Sequence, residues 1–142
     1  MNKYIKYTLI AFIIIAIAAF SVWKFMWSKD HRTAEGEKPV ATLTATQLYV
    51  AYENDEATSN TSYLDKTIQV SGKVMELASE PNGTTVVLLE TQSALGAVSC
   101  SFSPVNGKPA ELNISTEQVI TLKGICKGFA MDVVIEHCSL IK

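Results

Sequence analysis

The hydrophobic and polar positions divide the chain into three parts. Residues 8–23 carry no charged side chain, and the mainly apolar run continues to residue 27. Residues 29–43 are charged, with a glycine, a proline and few bulky apolar side chains. From residue 44 onward the apolar positions recur first with a helical period and then with a period of two. This pattern predicts a membrane anchor over 1–28, a flexible linker over 29–43 and a globular domain over 44–142.

The first part of the chain predicts a helix that crosses a membrane. Twenty residues of helix rise about 30 Å, which is the thickness of the hydrocarbon core. Aromatic side chains lie near both ends, as expected at the two interfaces: Tyr4, Tyr7, Trp23 and Trp27. A cleaved signal peptide is the alternative, with Ala16 to Ala18 as the cleavage signal. Because the apolar run continues past that signal, we favour an uncleaved anchor over residues 8–27.

The globular part predicts one helix followed by five strands. Thr44 and Gln47 have the spacing of a capping box, and helical periodicity continues over about 45–59. Asn82 and Gly83 predict the first hairpin turn. The strands indicated by alternating apolar positions cover 66–77, 84–91, 95–102, 117–129 and 131–141.

The spacing of these strands favours a small barrel. The longest interruption, residues 103–116, separates the third strand from the fourth, and Pro109 to Ile114 predict a short helix or turn there. Gly72 lies inside the long first strand, where a glycine permits sharp coiling. We therefore predict a mainly β fold: a five-stranded OB-fold barrel preceded by an α-helix, with the transmembrane helix at the N-terminus. An immunoglobulin-like sandwich is the alternative, but it needs about seven strands.

The charge of the domain argues against nucleic acid as a ligand. From residue 39 onward the chain has six lysines, no arginine and eleven carboxylates, a formal charge of −5. Proteins that bind phosphate backbones need a basic stripe. Single-strand binders on OB barrels also need stacking aromatics on the second and third strands, and these strands offer only Phe102. The sequence therefore argues against nucleic acid binding.

Three cysteines and a histidine are the candidates for metal binding or catalysis: Cys100, Cys126, His137 and Cys138. A zinc site is disfavoured, because no Cys-x-x-Cys pair is present and adjacent residues of a strand point to opposite faces. The same argument disfavours a nucleophilic thiol with a histidine base. We therefore predict no catalytic, cofactor-binding or metal-binding residues, and we predict that the protein is not an enzyme.

The cysteines also predict a disulfide, with the pairing left open. A turn near residues 129–131 would leave Cys126 and Cys138 four residues out of register, about 13 Å apart. A disulfide needs Cα atoms within about 7 Å, so a Cys126–Cys138 bridge would require a bulge or a longer loop in the hairpin. The third and fifth strands of an OB barrel are neighbours, which favours Cys100–Cys138. Three reduced cysteines in the core remain the other alternative.

Five segments of the domain resemble the tRNA_anti-like family of OB-fold proteins: YENDEA (52–57), YLDKTIQVSGKV (63–74), VSCSF (98–102), VITLKGICKG (119–128) and DVVIEHCSL (132–140). The resemblance covers nearly all of 44–142. It departs from the family pattern at Asp65, where a glycine is expected before the lysine. The family is common in envelope proteins of Bacteroidetes-type bacteria. The resemblance implies a single-pass protein of the inner (cytoplasmic) membrane, with its N-terminus in the cytoplasm and its domain in the periplasm.

These observations support one functional hypothesis and one alternative. The first is a membrane-anchored periplasmic OB-fold module that binds or positions another envelope component without catalysis. Its contact with the membrane is through residues 8–27, and its partner is a protein of the envelope. The alternative is binding of single-stranded nucleic acid or oligosaccharide on the face of the barrel.

Overall fold

The computed structural model describes residues 3–27 and 34–141, and it divides into two compact units, 1–32 and 33–142. Each unit is described by itself. Residues 28–33 include the first part of the predicted linker, and they lie outside the described residues, as does Lys142.

The described residues of the first unit form one helix, α1 (Lys3–Trp27). The segment Tyr4–Phe25 has a mean hydropathy of 2.3 and is long and apolar enough to cross a membrane. The hydroxyl groups of Thr8 and Ser21 donate to carbonyl groups one turn earlier in the same helix, at 3.0 and 2.8 Å. These polar side chains therefore have partners without water, as a membrane interior requires. The predicted helix of membrane-spanning length is confirmed.

The second unit begins earlier than the sequence pattern predicts. Ala34 starts a 3₁₀ turn (Ala34–Gly36) and is fully buried. A short strand, β1 (Thr42–Thr44), then runs parallel to the first long strand of the barrel. The backbone N–H of Val40 donates to Thr67 O at 2.8 Å, and Lys123 Nζ donates to Glu35 O at 3.0 Å. Residues 34–43, predicted as part of a flexible linker, are thus held on the domain by hydrogen bonds to its backbone and to the Lys123 side chain.

Two helices occupy the region where one was predicted. α2 (Ala45–Asn54) starts at the capping box that the sequence indicates, with both of the hydrogen bonds between Thr44 and Gln47 formed. α3 (Glu56–Tyr63) follows after Asp55, whose backbone is extended. Asp65 then adopts a positive φ of 57°, a conformation that glycine, asparagine and aspartate tolerate best. The aspartate therefore takes the place of the glycine expected in the family.

Five strands form a closed barrel with an N-terminal helix, which confirms the predicted OB fold. They are β2 (Thr67–Ser79), β3 (Thr85–Leu89), β4 (Val98–Phe102), β5 (Val119–Phe129) and β6 (Val133–Leu140). Their order is β2-β3-β4-β6-β5, and pairing between β2 and β5 closes the barrel. The long β2 pairs with β5 through its first half and with β3 through its second half. Only β4 and β6 run parallel among the barrel pairs.

The segment between β4 and β5 is neither helical nor part of the barrel. Within the predicted helix or turn at Pro109 to Ile114, Leu112 N donates to Ala110 O and Ile114 N donates to Leu112 O. These are three-residue turns, so the segment crosses the barrel surface as a sharply bent loop.

The core lies inside the barrel and under α2. A cluster of fully buried side chains fills it, among them Leu48, Ile68, Val70, Val74, Val87, Leu89, Val98, Cys100, Leu122, Cys126, Val133 and Ile135. Tyr49 and Tyr52 of α2 pack against Phe129, with ring centroids 5.6 and 6.0 Å apart. α2 therefore covers one end of the barrel. Gly72 permits this close approach, since an added Cβ would lie 2.9 Å from Ala45 Cβ.

Candidate functional site

The outer surface of β3, β4 and β6 forms a shallow groove rich in hydroxyl groups. In the sheet Val86 pairs with Ser101, and Ser99 pairs with Val134. The groove has a volume of about 420 Å³. We call it the serine face. Its residues are Glu80, Asn82, Thr84, Val86, Ser99, Ser101, Ser103, Val134, Glu136 and His137.

Strict alternation in β4 produces this face. Val98, Cys100 and Phe102 are buried in the core, so the intervening serines point outward. Ser101 Oγ donates to Ile135 O on the neighbouring strand at 3.3 Å. Each serine is short enough to leave the sheet surface open, which gives a flat groove lined by hydroxyl groups.

Hydrogen bonds hold the rim of the serine face in place. Ser103 Oγ and His137 Nδ1 form a hydrogen bond of 3.1 Å. In the β2–β3 turn, Asn82 Oδ1 accepts from Thr84 N at 2.8 Å, and Asn82 Nδ2 donates to Glu80 Oε2 at 3.0 Å. These bonds position an amide and a carboxylate at one edge of the groove before any ligand arrives.

The charged groups of the serine face are carboxylates. Glu80 and Glu136 line it, and none of its described lining residues is lysine or arginine. Four lysines of the domain have partners elsewhere. Lys66 donates to carbonyls at the end of α3, Lys73 pairs with Glu90 and Glu117, Lys123 donates to Glu35 O and Glu37 O, and Lys127 pairs with Asp65. The face therefore attracts cations or neutral polar groups more readily than phosphate.

A second cavity, which we call the cysteine cleft, lies beside the ends of β4 and β6. Its volume is about 380 Å³. Phe102, Val105, Leu112 and Leu140 form the apolar part of its wall, and Cys138 lines it as well. Polar and charged side chains form the rest of the lining: Glu35, Ser103, Glu111, His137 and Ser139.

An irregularity in β6 determines which residues face this cleft. Ile125 pairs with Glu136 and Lys123 with Ser139, so Gly124 lies opposite both His137 and Cys138. His137 has a φ of 52°. One extra residue in β6 reverses the alternation from that point onward. Cys138 consequently packs against the core and His137 reaches Ser103.

All three cysteines are free thiols in the structure, so neither predicted disulfide is formed. Cys100 is fully buried, and its Sγ donates to Val98 O at 3.9 Å, while Cys138 Sγ donates to Ile135 O at 3.5 Å. Burial, followed by the neighbouring thiol of Cys138, raises the pKa of Cys100. Of the two predicted pairs, Cys100 and Cys138 are the two thiols that lie near each other, but they form no bond.

Cys126 lies away from the other two cysteines, at the end of the barrel that α2 covers. Its Sγ lies 3.3 Å from the hydroxyl of Tyr52. Burial raises the pKa of the Cys126 thiol, and burial together with that hydrogen bond raises the pKa of Tyr52. Both groups are therefore neutral at physiological pH, which suits a structural contact in the core better than a reactive thiol.

The residues that sequence reasoning singled out do not gather at a metal site. Within residues 3–27 and 34–141, no group of three or more histidine, cysteine, aspartate or glutamate side chains is placed to hold a metal ion. The outward serines of β4 were missed as site residues. The alternation in VSCSF could have located them, because it places every second residue outside the barrel.

A family match and one solved structure agree with the barrel architecture. The sequence profile of the tRNA_anti-like family matches residues 1–140. A Klebsiella pneumoniae protein described as a "putative nucleic acid-binding lipoprotein" is similar in structure, with a TM-score of 0.57 and 17% identity over 70% of this chain and 91% of that one. A Leishmania major protein described as a "putative aspartyl-tRNA synthetase" gives a TM-score of 0.46 and 11% identity, over 71% of this chain and 20% of that one. Curated protein sequences give no match.

Proposed function

Because the chain belongs to the tRNA_anti-like family of OB-fold proteins, we propose that it is a membrane-anchored binding module that holds a protein of the cell envelope, without catalysis. The observation that carries this proposal is the serine face. It lies on the strands that OB barrels generally use for ligands, and it presents hydroxyl groups, an amide and carboxylates in a flat groove. Such groups form hydrogen bonds with a polypeptide backbone and its polar side chains.

The chemistry of the face favours a polypeptide over a nucleic acid. A single-stranded nucleic acid needs cations for its phosphates and aromatic rings for its bases. Among the described lining residues of the serine face there is no lysine or arginine, and there is no phenylalanine, tyrosine or tryptophan ring. Four lysines of the domain are already bonded to carbonyl or carboxylate groups away from this face.

The proposed location is supported by α1 and by the family resemblance. In our proposal α1 is an uncleaved anchor in the inner membrane, with the N-terminus in the cytoplasm and the domain in the periplasm. The length and apolar character of Tyr4–Phe25 support the anchor. The description of the Klebsiella neighbour as a lipoprotein supports a place in the envelope.

Site-specific photo-crosslinking tests the proposal. A photoreactive amino acid replaces Ser101 at the centre of the serine face in the full-length protein, produced in its native cells. The matched control carries the same amino acid at Glu53, an exposed position on α2 outside the face. We expect the Ser101 position alone to give a discrete adduct of higher mass that protease degrades and that nuclease and glycosidase leave intact.

Two results would contradict the proposal. Equal adducts from both positions would show that the serine face has no special role. An adduct at Ser101 that nuclease or glycosidase removes would show that the ligand is a nucleic acid or an oligosaccharide and not a protein. The description of the Klebsiella neighbour favours nucleic acid as that alternative. Binding of single-stranded oligonucleotides that weakens as salt rises would support it.

A further inference from the structure

The strands β4 and β6 separate before either of them ends. Their parallel ladder stops at Cys100 and Ile135, whereas β4 continues to Phe102 and β6 continues to Leu140. Beyond that point β6 pairs only with β5. Within residues 34–141, no backbone hydrogen bond joins residues 136–140 to the loop that follows β4. One edge of β6 is therefore left without a neighbouring strand over residues 136–140.

The backbone of Leu140 directs hydrogen-bonding groups to this open edge. The adjacent residue, Ile141, donates its N–H to Thr121 O of β5 at 2.9 Å. Hydrogen bonds alternate along an antiparallel ladder, so the N–H and C=O groups of Leu140 point away from β5. Leu140 also lines the cysteine cleft. An unpaired strand edge of this kind is a template on which another extended segment can add.

The lining of the cysteine cleft suits an extended polypeptide segment. Residues 102–105 line one side of the cleft, and residues 137–140 of the open edge line the other. Phe102 belongs to the core, and Leu112 and Leu140 pack against it, so the deep part of the cleft is apolar. The polar lining side chains are exposed or half-buried. Because side chains of an extended segment point alternately to opposite sides, one set can enter the apolar part while the other stays among the polar groups.

The charge of the cleft favours a basic segment. Glu35 and Glu111 line it and are exposed, and within residues 34–141 neither carboxylate has an ion-pair partner. None of the described residues that line the cleft is lysine or arginine. A lysine or arginine of a bound peptide therefore finds an acidic group there, whereas an acidic peptide is repelled.

We propose that the cysteine cleft is a strand-addition site, in which an extended polypeptide segment of alternating apolar and basic residues adds to the open edge of β6. Main-chain hydrogen bonds to β6 provide affinity, and the apolar and acidic parts of the lining provide selectivity. Ser103 and His137 line both the cleft and the serine face, so one polypeptide can occupy both surfaces. The inference rests on the proposed function for the class of the partner, and it adds where and how the partner's chain is held.

A labelled peptide tests the site directly. The probe is a fluorescein-labelled peptide of alternating valine and lysine, added to the full-length protein in non-ionic detergent micelles. We expect saturable binding, measured by fluorescence polarisation. Two comparison peptides should each bind at least about tenfold more weakly. One has glutamate in place of every lysine, and the other is N-methylated at every residue, so that it has no N–H groups to pair with a strand edge.

Two exposed valines provide a matched pair of variants. Val105 lines the cleft and is 61% exposed, whereas Val119 lies at the start of β5, outside the cleft, and is 70% exposed. Val105→Arg places bulk and positive charge in the cleft, so it should weaken binding of the valine–lysine peptide at least about tenfold. Val119→Arg should bind the peptide like the wild type. Circular dichroism checks that both variants keep the barrel.

Three results would overturn the proposal: no saturable binding to the wild type, equal binding to Val105→Arg, or equal binding of either comparison peptide. The photo-crosslink at Ser101 is a separate measurement of the proposed function. A protein adduct at Ser101 without peptide binding that depends on Val105 would refute the strand-addition site alone. Peptide binding that depends on Val105, without a protein adduct at Ser101, would refute the role of the serine face alone.

Discussion

Gly124 on β5 lies opposite two residues of β6, His137 and Cys138. A Cβ atom at Gly124 would lie 2.4 Å from Ile135 Cγ2 and 2.8 Å from Cys138 Sγ, closer than real atoms approach. Glycine therefore provides the space in which Cys138 enters the barrel. A single residue on one strand thus determines the environment of a thiol on the next.

We expect Gly124→Ala to lower the free energy of unfolding of the domain by about 1–3 kcal/mol, because an extra methyl group in a packed interior forces neighbouring atoms to move. Urea denaturation of the full-length protein in micelles, followed by near-ultraviolet circular dichroism, measures the change. Gly36→Ala is the control, since no atom lies within 4 Å of the added Cβ and its effect should stay within about 0.5 kcal/mol. Equal effects from both variants would contradict this account of Gly124.

At the scale of elements, Asp55 separates α2 from α3. Its N–H donates to Ala51 O at 3.1 Å and ends α2. Its carboxylate accepts from Thr58 N at 3.0 Å and from Thr58 Oγ1 at 2.7 Å, and so begins α3. The change of direction lets Tyr52 and Tyr63 approach each other, with ring centroids 6.3 Å apart. Both helices therefore contribute to the same aromatic cluster.

The cap at Asp55 predicts a contribution to stability that depends on pH. The hydrogen bonds from Thr58, the backbone N–H first and the hydroxyl second, lower the pKa of Asp55. A carboxyl group with a lowered pKa stabilises the fold above its unfolded pKa of about 4, and the effect is lost as the pH falls through the folded pKa. Asp55→Asn should keep most of the stability at neutral pH, since asparagine also caps helices, and should decline less in acid.

Unfolding free energies from neutral pH to about pH 3 measure this difference. Glu53→Gln is the control, because it also removes an exposed carboxylate but not the cap of α3. The same acid dependence in both variants would mean that the capping bonds of Asp55 add nothing to stability.

At the scale of the whole molecule, the two units differ in the surface they present. α1 exposes apolar side chains all round, among them Phe12, Ile14 and Phe25. A helix that is apolar on every side fits a lipid environment and not water. The second unit buries its apolar residues inside a closed barrel and carries an excess of carboxylates. This division supports an anchor that holds a water-facing binding domain.

A charge in the middle of α1 tests the proposed anchor. Ile14→Lys should weaken insertion by about 3 kcal/mol, the cost of a lysine near the centre of a membrane helix. Alkaline extraction of membranes followed by sedimentation measures the fraction of protein that stays with the lipid. Ile14→Leu should remain in the membrane fraction like the wild type. If Ile14→Lys is retained equally well, α1 does not act as the anchor.

Much of the fold could be predicted because the signals are local. The capping box at Thr44, the alternation in VSCSF and the turn at Asn82 each depend on residues within a few positions of one another. The placement of residues 34–43 could not be predicted in this way. Their partners, such as Thr67 and Lys123, lie far along the chain, and composition alone indicates a linker.

The sequence by itself determined the five strands of the barrel, a helical region before them and a helix long enough to cross a membrane, since periodicity and length are properties of each segment. Only the tertiary structure decided what surrounds the cysteines. Regular alternation would point Cys138 outward with Glu136, but the extra residue at His137 turns it inward against the core. That irregularity depends on Gly124 of another strand. Contacts between distant segments, and not the local pattern, therefore decide which thiols pack against the core.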